Sequence, residues 1–305
     1  MNLHQLSGCY RETLAAIYDD REAGELMMIA AEHHLGLDRI HLRLNLWEQL
    51  PDSAVNGMLD ILQELKTGKP IQYIIGYTWF GSLKLAIRPG ILIPRPETEG
   101  LCIMAGRDIA LFPPGSTLLD AGTGSGCIAI WMKRYYPYLK IQAADVNPLA
   151  IRVAAENARQ AGCLVDFYTM DIVTDPPDLI PGMLDALVSN PPYIPEGEKP
   201  FLHPNVRCFE PPGALFVPDE DPLTFYRALM RIADEKLKSG GILWMEVHEQ
   251  FAKLTADLFC SSGYPDTKIF TDIHEKDRFL RVVKNHRRSG AISRYVRNNS
   301  HDPKA

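Results

Sequence analysis

The sequence predicts an α/β protein in which a small all-α bundle precedes a seven-stranded, mostly parallel sheet. From residue 117 onward, strand-like and helix-like segments alternate, which is typical of a parallel sheet with helices on both faces. Residues 1–67 instead show helical spacing of apolar residues without strand-like alternation. A glycine-rich turn at residues 122–126 follows a strand and precedes a helix, as in nucleotide-binding α/β sheets. These three observations indicate two domains.

The first domain is predicted as a bundle of four or five helices over residues 1–70. Short interruptions at residues 19–20, at Gly36 and at Pro51 divide it. A Thr-Gly-Lys-Pro run at residues 67–70 ends the last helix and forms a linker. The apolar faces comprise Leu6, Tyr10, Leu14 and Ile17, then Leu26, Ile29, Ala30 and His33, and then Val55, Leu59, Leu62 and Leu65.

A linker β-hairpin is predicted over residues 71–90. Residues 73–80 and 83–87 are strand-like, and Gly81 and Ser82 separate them. The segment after the hairpin leads into a helix that reaches about Leu111.

The sheet domain is predicted over residues 91–285. Only a turn separates its last two strands, so we expect them to form an antiparallel hairpin at one side of the sheet. A basic tail, 286–305, follows, and we expect it to be flexible. The predicted strands are 117–121, 140–145, 164–168, 184–189, 241–247, 266–271 and 278–284, and the helices are 125–136, 148–161, 222–238 and 249–261.

The charge, the apolar runs and the cysteines of the chain indicate which partners and which compartment to expect. The 305 residues carry a net charge of −6, and residues 1–75 hold 11 acids against 6 bases. We therefore expect no direct nucleic-acid substrate, which normally requires a basic face. No run approaches 18 apolar residues, so no membrane span is expected. Six scattered cysteines without a CxxC pair, and no signal peptide, predict a cytoplasmic protein.

A metal site is not expected. His248-Glu249 and His274-Glu275 resemble the start of a zinc-binding HExxH motif. Ala252 and Arg278 stand where the second histidine of that motif belongs.

The glycine-rich turn predicts a cofactor site. Its residues Gly122, Thr123, Gly124, Ser125 and Gly126 allow close backbone approach to a ligand at a helix N-terminus. Asp145 follows Gly126 by 19 residues and ends the next strand, where it can accept hydrogen bonds from ribose hydroxyls. This spacing suits both NAD and S-adenosyl-L-methionine.

Two later strand ends favour the methyl donor. Asp171 follows the third strand, where its carboxylate can bind an adenine amino group, and Ile172 can lie against the ring. Asn190 ends the fourth strand and belongs to the same edge of the sheet. The sequence lacks the His or Lys and Tyr set of a typical hydride-transfer site. We therefore predict that Gly122–Gly126, Asp145, Asp171, Ile172 and Asn190 bind S-adenosyl-L-methionine.

Asn190, Pro191, Pro192 and Tyr193 are the predicted catalytic residues. The two prolines lack N–H groups and stiffen the turn, so its carbonyl oxygens stay available as acceptors. An amide side chain, a proline carbonyl and an aromatic face at one place suit a planar NH2 group. Adenine, cytosine and glutamine all carry such a group.

With these motifs in this order, the chain resembles the HemK/PrmC family of peptide chain release factor glutamine methyltransferases. Two departures are Val247-His248-Glu249, where the family commonly has glycine, and Ala121 in place of leucine. The matching segments are 92–99 (LIPRPETE), 118–126 (LLDAGTGSG), 145–158 (DVNPLAIRVAAENA) and 189–193 (SNPPY), with Glu210-Pro211, Ala214-Leu215, Glu246, Gln250 and Asp277-Arg278.

The resemblance implies a Rossmann-like, class I methyltransferase domain. It implies methyl transfer from S-adenosyl-L-methionine to the glutamine N5 in the Gly-Gly-Gln motif of release factors 1 and 2, with S-adenosyl-L-homocysteine as product. The bundle would dock the release factor. Asn190 Oδ1 and the Pro191 carbonyl would accept the two amide N–H bonds, and Tyr193 would pack against the amide.

Three alternatives stay open at this stage. A ribosomal-protein glutamine methyltransferase would use the same motif, because the protein substrate is chosen elsewhere. A DNA or RNA adenine-N6 methyltransferase is disfavoured by the acidic body of the chain. A non-catalytic release-factor or ribosome-binding module is disfavoured by the intact cofactor motifs. The sequence leaves the roles of Glu97 and Glu246 undecided.

Overall fold

The computed structural model describes residues 1–285. The predicted tail, 286–305, lies outside the described residues. The helices are α1 (Leu3–Leu14), α2 (Asp20–Leu35), α3 (Arg39–Leu44), α4 (Asp52–Leu65), α5 (Ile71–Ile75), α6 (Pro96–Ile109), α7 (Cys127–Tyr135), α8 (Pro148–Gln160), α9 (Pro204–Phe209), α10 (Thr224–Lys236) and α11 (Ala252–Ser261). The strands are β1 (Tyr77–Phe80), β2 (Leu83–Ala86), β3 (Thr117–Ala121), β4 (Lys140–Asp145), β5 (Asp166–Thr169), β6 (Leu184–Ser189), β7 (Ile194–Pro195), β8 (Phe216–Val217), β9 (Leu237–Glu246), β10 (Thr267–Thr271) and β11 (Asp277–Val283).

Helices α1 to α5 form the N-terminal bundle, and side-chain caps set several of its boundaries. Asn2 and Gln5 form a reciprocal capping box at the start of α1. Asp19 caps α2, which ends at Gly36 with a φ of 64°. The apolar faces of these helices share one buried core, and Tyr10 donates its hydroxyl hydrogen to the Met58 carbonyl at 2.5 Å.

One part of the hairpin prediction is wrong. Residues 71–75 form helix α5 and not the start of a strand, so the hairpin begins at Tyr77. Pro70 is compatible with a helix start, and Gly76 ends the helix with a φ of 81°. Ile71 joins the bundle core, which holds this short segment in the helical conformation.

A seven-stranded sheet forms the second domain, with the order β10-β11-β9-β6-β3-β4-β5. All neighbouring pairs are parallel except those of β11, which is antiparallel to β9 and β10. The predicted terminal hairpin is confirmed. The order of the chain reverses between β3 and β6, where open α/β sheets bind ligands.

Both faces of this sheet are covered, as the sequence predicted. Leu118 points into a core formed with α6, α7 and the β1–β2 hairpin. Its neighbour Leu119 points into the opposite core, formed with α10 and α11. Successive side chains of a strand point to opposite faces, so a continuous apolar run fits a strand buried on both sides.

The segment between β6 and α10 was not assigned by the sequence. It contains the short parallel pair β7–β8 and helix α9, together with 3₁₀ turns at residues 196–201 and 212–214. Prolines interrupt this segment repeatedly, so no apolar periodicity marks its elements. Across residues 1–285, none of the helices is long and apolar enough to cross a membrane.

Candidate active site

A cavity opens at the carboxyl edge of β3, β4, β5 and β6. Ten of the twelve predicted site residues line it, and Gly126 and Tyr193 do not. Several other lining residues have no role predicted from the sequence, and they come from the segment before α6, from α6 itself, from the turn after β4, from the region after β7 and from α10. The ten are Gly122, Thr123, Gly124, Ser125, Asp145, Asp171, Ile172, Asn190, Pro191 and Pro192, and the additional ones include Leu92, Pro94, Thr98, Asn147, Pro211, Gly213 and Phe225.

The glycines of the turn have two different roles. Gly122 and Gly124 have φ values of 77° and 55°, and a Cβ built on either would meet no atom within 4 Å. Their missing side chains therefore leave space at the cavity wall. Gly126 has a φ of 84°, and its Cβ would lie 3.0 Å from that of Ala154. This third glycine permits close packing of α7 against α8.

Asp120 lies beneath the glycine-rich turn and is fully buried. Its Oδ2 accepts hydrogen bonds from Thr123 Oγ1 at 2.6 Å and from the Ala129 N–H at 3.0 Å. Within the described chain its Oδ1 has no hydrogen-bond partner. Burial raises the pKa of Asp120 to about 7, and the two hydrogen bonds oppose that rise.

Asp145 stabilises the turn and also faces the cavity. Its Oδ2 accepts the Gly124 N–H and its Oδ1 accepts the Asn147 N–H, both at 2.8 Å. Burial raises the pKa of Asp145 above its usual value, while these hydrogen bonds lower it. Each carboxylate oxygen has a further lone pair. Asp145 can therefore bind ligand hydroxyls without losing either backbone contact.

Asp171 has a structural role besides facing the cavity. Its Oδ1 accepts the Val173 N–H at 2.8 Å, and its Oδ2 accepts the Thr174 hydroxyl at 2.9 Å. These bonds fold the loop after β5 and keep the mostly buried Ile172 at the cavity wall. Arg231 donates hydrogen bonds to three carbonyl oxygens of the same loop.

Asn190 begins a line of hydrogen bonds that leads away from the cavity. Its Nδ2 donates to Thr98 Oγ1 at 2.9 Å. Thr98 Oγ1 donates to Glu246 Oε2 at 2.9 Å, and the Tyr193 hydroxyl donates to Glu246 Oε1 at 2.8 Å. We call Asn190, Thr98, Glu246 and Tyr193 the relay. Among residues 1–285, no group donates a hydrogen bond to Asn190 Oδ1 or to the Pro191 carbonyl.

The centre of the relay is shielded from solvent, since Glu246 is 1% exposed and Thr98 is 2% exposed. Burial raises the pKa of Glu246, whereas its two hydroxyl partners and the charge of Arg278 lower it. Burial, followed by the charge of Glu246, raises the pKa of Tyr193 well above its usual value. The Tyr193 hydroxyl is therefore a donor to Glu246 and not an acid at neutral pH.

Comparison with known proteins places the chain in a family. The PrmC N-terminal domain family matches residues 9–76, and the Methyltransferase small domain family matches residues 110–218. A release factor glutamine methyltransferase from Bacteroides thetaiotaomicron is 35% identical over 279 residues, which cover 91% of this chain and 99% of that protein. The chain belongs to the release factor glutamine methyltransferase family. It is accordingly a methyltransferase, and the predicted class I methyltransferase fold is confirmed.

Two further proteins are similar to this chain. A release factor glutamine methyltransferase from Chlorobaculum tepidum is 35% identical and covers 87% of this chain and 90% of its own length. A solved structure of a protein-(glutamine-N5) methyltransferase (release factor-specific) from Alicyclobacillus acidocaldarius is 26% identical. It covers 63% of this chain and 94% of its own, with a TM-score of 0.41.

The LIPRPETE segment of this family member is held against the region after β7. Arg95 forms an ion pair with Glu210, and the Ile93 N–H donates to the same carboxylate at 3.3 Å. Glu210 is only 4% exposed. This segment carries part of the resemblance to the family, but no role is predicted for Thr98 from the sequence. The signal that could have indicated Thr98 is a hydroxyl residue on the first turn of a helix that adjoins the cofactor edge.

His248 occupies the strand end where the sequence departs from its family. Its ring lies 6.0 Å from that of Tyr193 and 5.2 Å from that of Phe251, measured between ring centroids. Its Nε2 lies 3.3 Å from Glu198 Oε2, in the region after β7. The histidine thus connects the end of β9 to the segment that follows the Asn-Pro-Pro-Tyr motif.

Proposed function

We propose that this protein transfers a methyl group from S-adenosyl-L-methionine to the side-chain N5 of the glutamine in the Gly-Gly-Gln motif of peptide chain release factors 1 and 2. This activity would modulate translation termination, and the cytoplasm is the proposed location. One observation carries the proposal. Asn190 lines the same cavity as the glycine-rich turn and Asp145, and its Oδ1 is an available acceptor there.

The residues at the cavity wall fit the proposed cofactor. The open space at Gly122 and Gly124 allows a ligand to approach the backbone closely. Asp145 can accept ribose hydroxyls, and Ile172 offers an apolar surface for a base. Asp171 is proposed to contact the adenine amino group in addition to its loop contacts. When bound, S-adenosyl-L-methionine supplies a methyl group activated by a sulfonium sulfur.

The Asn-Pro-Pro-Tyr motif is proposed to orient the substrate. An amide nitrogen is a weak nucleophile because its lone pair is delocalised into the carbonyl. If Asn190 Oδ1 and the Pro191 carbonyl accept its two N–H bonds, the plane of the amide is set and positive charge on nitrogen is stabilised. Orientation of this kind supplies ~7–11 kcal/mol in favourable cases. Pro192 keeps the turn rigid, since its ring restricts φ.

A strong base is not required in this scheme. The methylated amide nitrogen is very acidic before it loses its proton, so water can accept that proton. Glu246 is poorly suited to accept that proton because it is buried and both of its oxygens already accept hydrogen bonds from hydroxyl groups. Glu246 is therefore not proposed as the base.

Methyl transfer to competing substrates tests the proposal. Purified protein with labelled S-adenosyl-L-methionine should methylate a release factor at the Gly-Gly-Gln glutamine, as located by mass spectrometry. Ribosomal proteins and DNA should stay unlabelled under the same conditions. Labelling of either one without labelling of the release factor would contradict the proposed substrate.

Asn190→Ala tests whether Asn190 acts in the methyl-transfer step. It should leave cofactor binding largely intact, because the glycine-rich turn and Asp145 supply other contacts, and lower turnover by at least ~10²-fold, the scale of losing one preorganised polar group. Calorimetry with S-adenosyl-L-methionine and with NADH accompanies the assay. Near-normal turnover would remove Asn190 from the mechanism, and tighter binding of NADH would refute the proposed cofactor.

A further inference from the structure

We infer that Thr98 and Glu246 are positioning residues for methyl transfer, because they hold the Asn190 amide in the orientation that presents Oδ1 to the cavity. This inference rests on the proposed function. It assigns a task to two buried residues that do not themselves reach the substrate in the proposed scheme.

Glu246 determines the direction of the hydrogen bonds in the relay. Its Oε2 lies 2.9 Å from Thr98 Oγ1, and its Oε1 lies 2.8 Å from the Tyr193 hydroxyl. An ionised carboxylate has no hydrogen to donate, so both hydroxyl groups must donate to it. Burial raises the pKa of Glu246, whereas the two hydroxyl donors and then the positive charge of Arg278 favour this ionised form.

Thr98 in turn determines which end of the Asn190 amide faces it. A threonine hydroxyl has one hydrogen, and here that hydrogen belongs to the bond with Glu246. Towards Asn190, at 2.9 Å, Thr98 Oγ1 can only accept. Asn190 must therefore turn its NH2 group to Thr98, and its Oδ1 is left for the cavity.

The opposite orientation of Asn190 would be unproductive. Its NH2 group would then face the NH2 group of the substrate glutamine, so two donors would meet and no acceptor would orient the substrate. Without the Thr98 hydroxyl, Nδ2 has no acceptor among residues 1–285, and the adjoining relay is shielded from solvent. An unsatisfied buried donor is costly, which favours turning the NH2 group towards the open cavity. The productive orientation then becomes the minor one.

Thr98→Val removes the hydroxyl and keeps the shape of the side chain. We expect it to lower kcat for release-factor methylation about tenfold, with the affinity for S-adenosyl-L-methionine changed less than about twofold. Thr98→Ser, which restores a hydroxyl, should recover most of the turnover. Thr255→Val is the matched control, since Thr255 is fully buried on α11 and donates to the Phe251 carbonyl at 2.8 Å. That control should leave kcat unchanged.

A double-mutant cycle separates positioning from general destabilisation. If Thr98 acts through Asn190, adding Thr98→Val to Asn190→Ala should lower kcat less than about twofold further. An independent structural effect would instead multiply the two losses. Wild-type turnover in Thr98→Val, or an undiminished tenfold loss in the Asn190→Ala background, would overturn the inference.

A second measurement needs no substrate. In protein labelled with ¹⁵N at asparagine, the Asn190 NH2 resonances are assigned by their absence from Asn190→Ala. They should shift in Thr98→Val and return towards wild type in Thr98→Ser. Unchanged resonances in Thr98→Val would refute the hydrogen bond. A missing activity on release factors alongside the expected shifts would instead refute the proposed substrate and leave the orientation supported.

Discussion

At the residue scale, the buried carboxylate of Asp120 predicts that stability at the glycine-rich turn depends on pH. It is fully buried, two donors contact its Oδ2, and no group in the described chain contacts its Oδ1. Burial disfavours the charged form and outweighs the two hydrogen bonds, so the pKa rises from 3.8 to about 7. Because the folded state binds the proton more tightly than the unfolded chain, this contribution to stability is complete below about pH 4. It is lost as the pH rises through 7.

Asp120→Asn should remove that pH dependence. Its amide oxygen can accept the bonds from Thr123 and Ala129, and its NH2 group takes the position of the unpartnered Oδ1. The shift from 3.8 to about 7 corresponds to on the order of 4 kcal/mol at 1.36 kcal/mol per unit. Urea unfolding at pH 4.5 and pH 8 should show the variant gaining a few kcal/mol relative to wild type at the higher pH. An equal difference at both pH values would contradict the assignment.

At the scale of elements, Asn157 forms hydrogen bonds to both the β1–β2 hairpin and the glycine-rich turn. It is 1% exposed on α8, and its Oδ1 accepts the Ala86 N–H at 2.7 Å. Its Nδ2 donates to the Ala86 carbonyl at 3.1 Å and to the Ser125 carbonyl at 2.9 Å. One side chain thus fixes the edge of β2 and the glycine-rich turn relative to each other.

Asn157→Ala should loosen both elements. It leaves the partly buried Ala86 N–H and carbonyl and the buried Ser125 carbonyl without these partners, and a buried group left unpaired costs about 1–3 kcal/mol. We expect the free energy of unfolding to fall by about 3 kcal/mol, with cofactor affinity several-fold weaker because Ser125 lines the cavity. Gln160→Ala, at an exposed position of the same helix, should change stability by less than ~0.5 kcal/mol. Urea unfolding and calorimetry measure both effects. Equal behaviour of the two variants would contradict the connection.

At the scale of the whole molecule, α5 lies between the two domains and contacts both. Ile71 belongs to the core of the bundle. Tyr73 packs with Ile87 and Ile93, and its hydroxyl donates to the Ile91 carbonyl at 2.6 Å. The proposed boundary at residue 70 leaves α5 in the linker, whereas the match to the PrmC N-terminal domain extends to residue 76. His203, after β7, also contacts the bundle, with its Nε2 at 3.1 Å from the Ile17 carbonyl.

Deletion of residues 1–70 should slow methylation of an intact release factor more than that of a short Gly-Gly-Gln peptide. The cavity contacts one amide, so affinity for a whole protein requires a second contact region. The bundle is proposed to supply it. Its charge of −5, from 11 acids and 6 bases over residues 1–75, predicts a partly basic partner surface and an association that weakens with salt.

The comparison requires kcat/KM for both substrates with the intact and the shortened protein. Cofactor affinity and thermal midpoint of the shortened protein report whether its fold persists. Equal slowing of the two substrates would show that the bundle stabilises the enzyme and does not recognise the partner.

Local patterns were sufficient for much of this architecture. Alternating strands and helices predicted the parallel sheet, and the short turn before Asp277 predicted the antiparallel hairpin. The strand ends placed Asp145, Asp171 and Asn190 at one edge, because parallel strands share their direction. Periodicity failed for α5, where five residues are too few for a helical pattern, and for the proline-rich region after β7.

The sequence by itself determined the fold class, the two-domain order and ten of the residues that line the cavity. Each of these depends on neighbours within a few positions of the chain. The contacts within the relay are determined only by the tertiary structure. Thr98 lies 148 residues from Glu246 and 92 residues from Asn190, so no local spacing relates them. Their contact exists because α6 packs across the sheet and brings its first turn to the ends of β6 and β9. The direction of the Asn190 amide follows from which of these buried groups can donate a hydrogen.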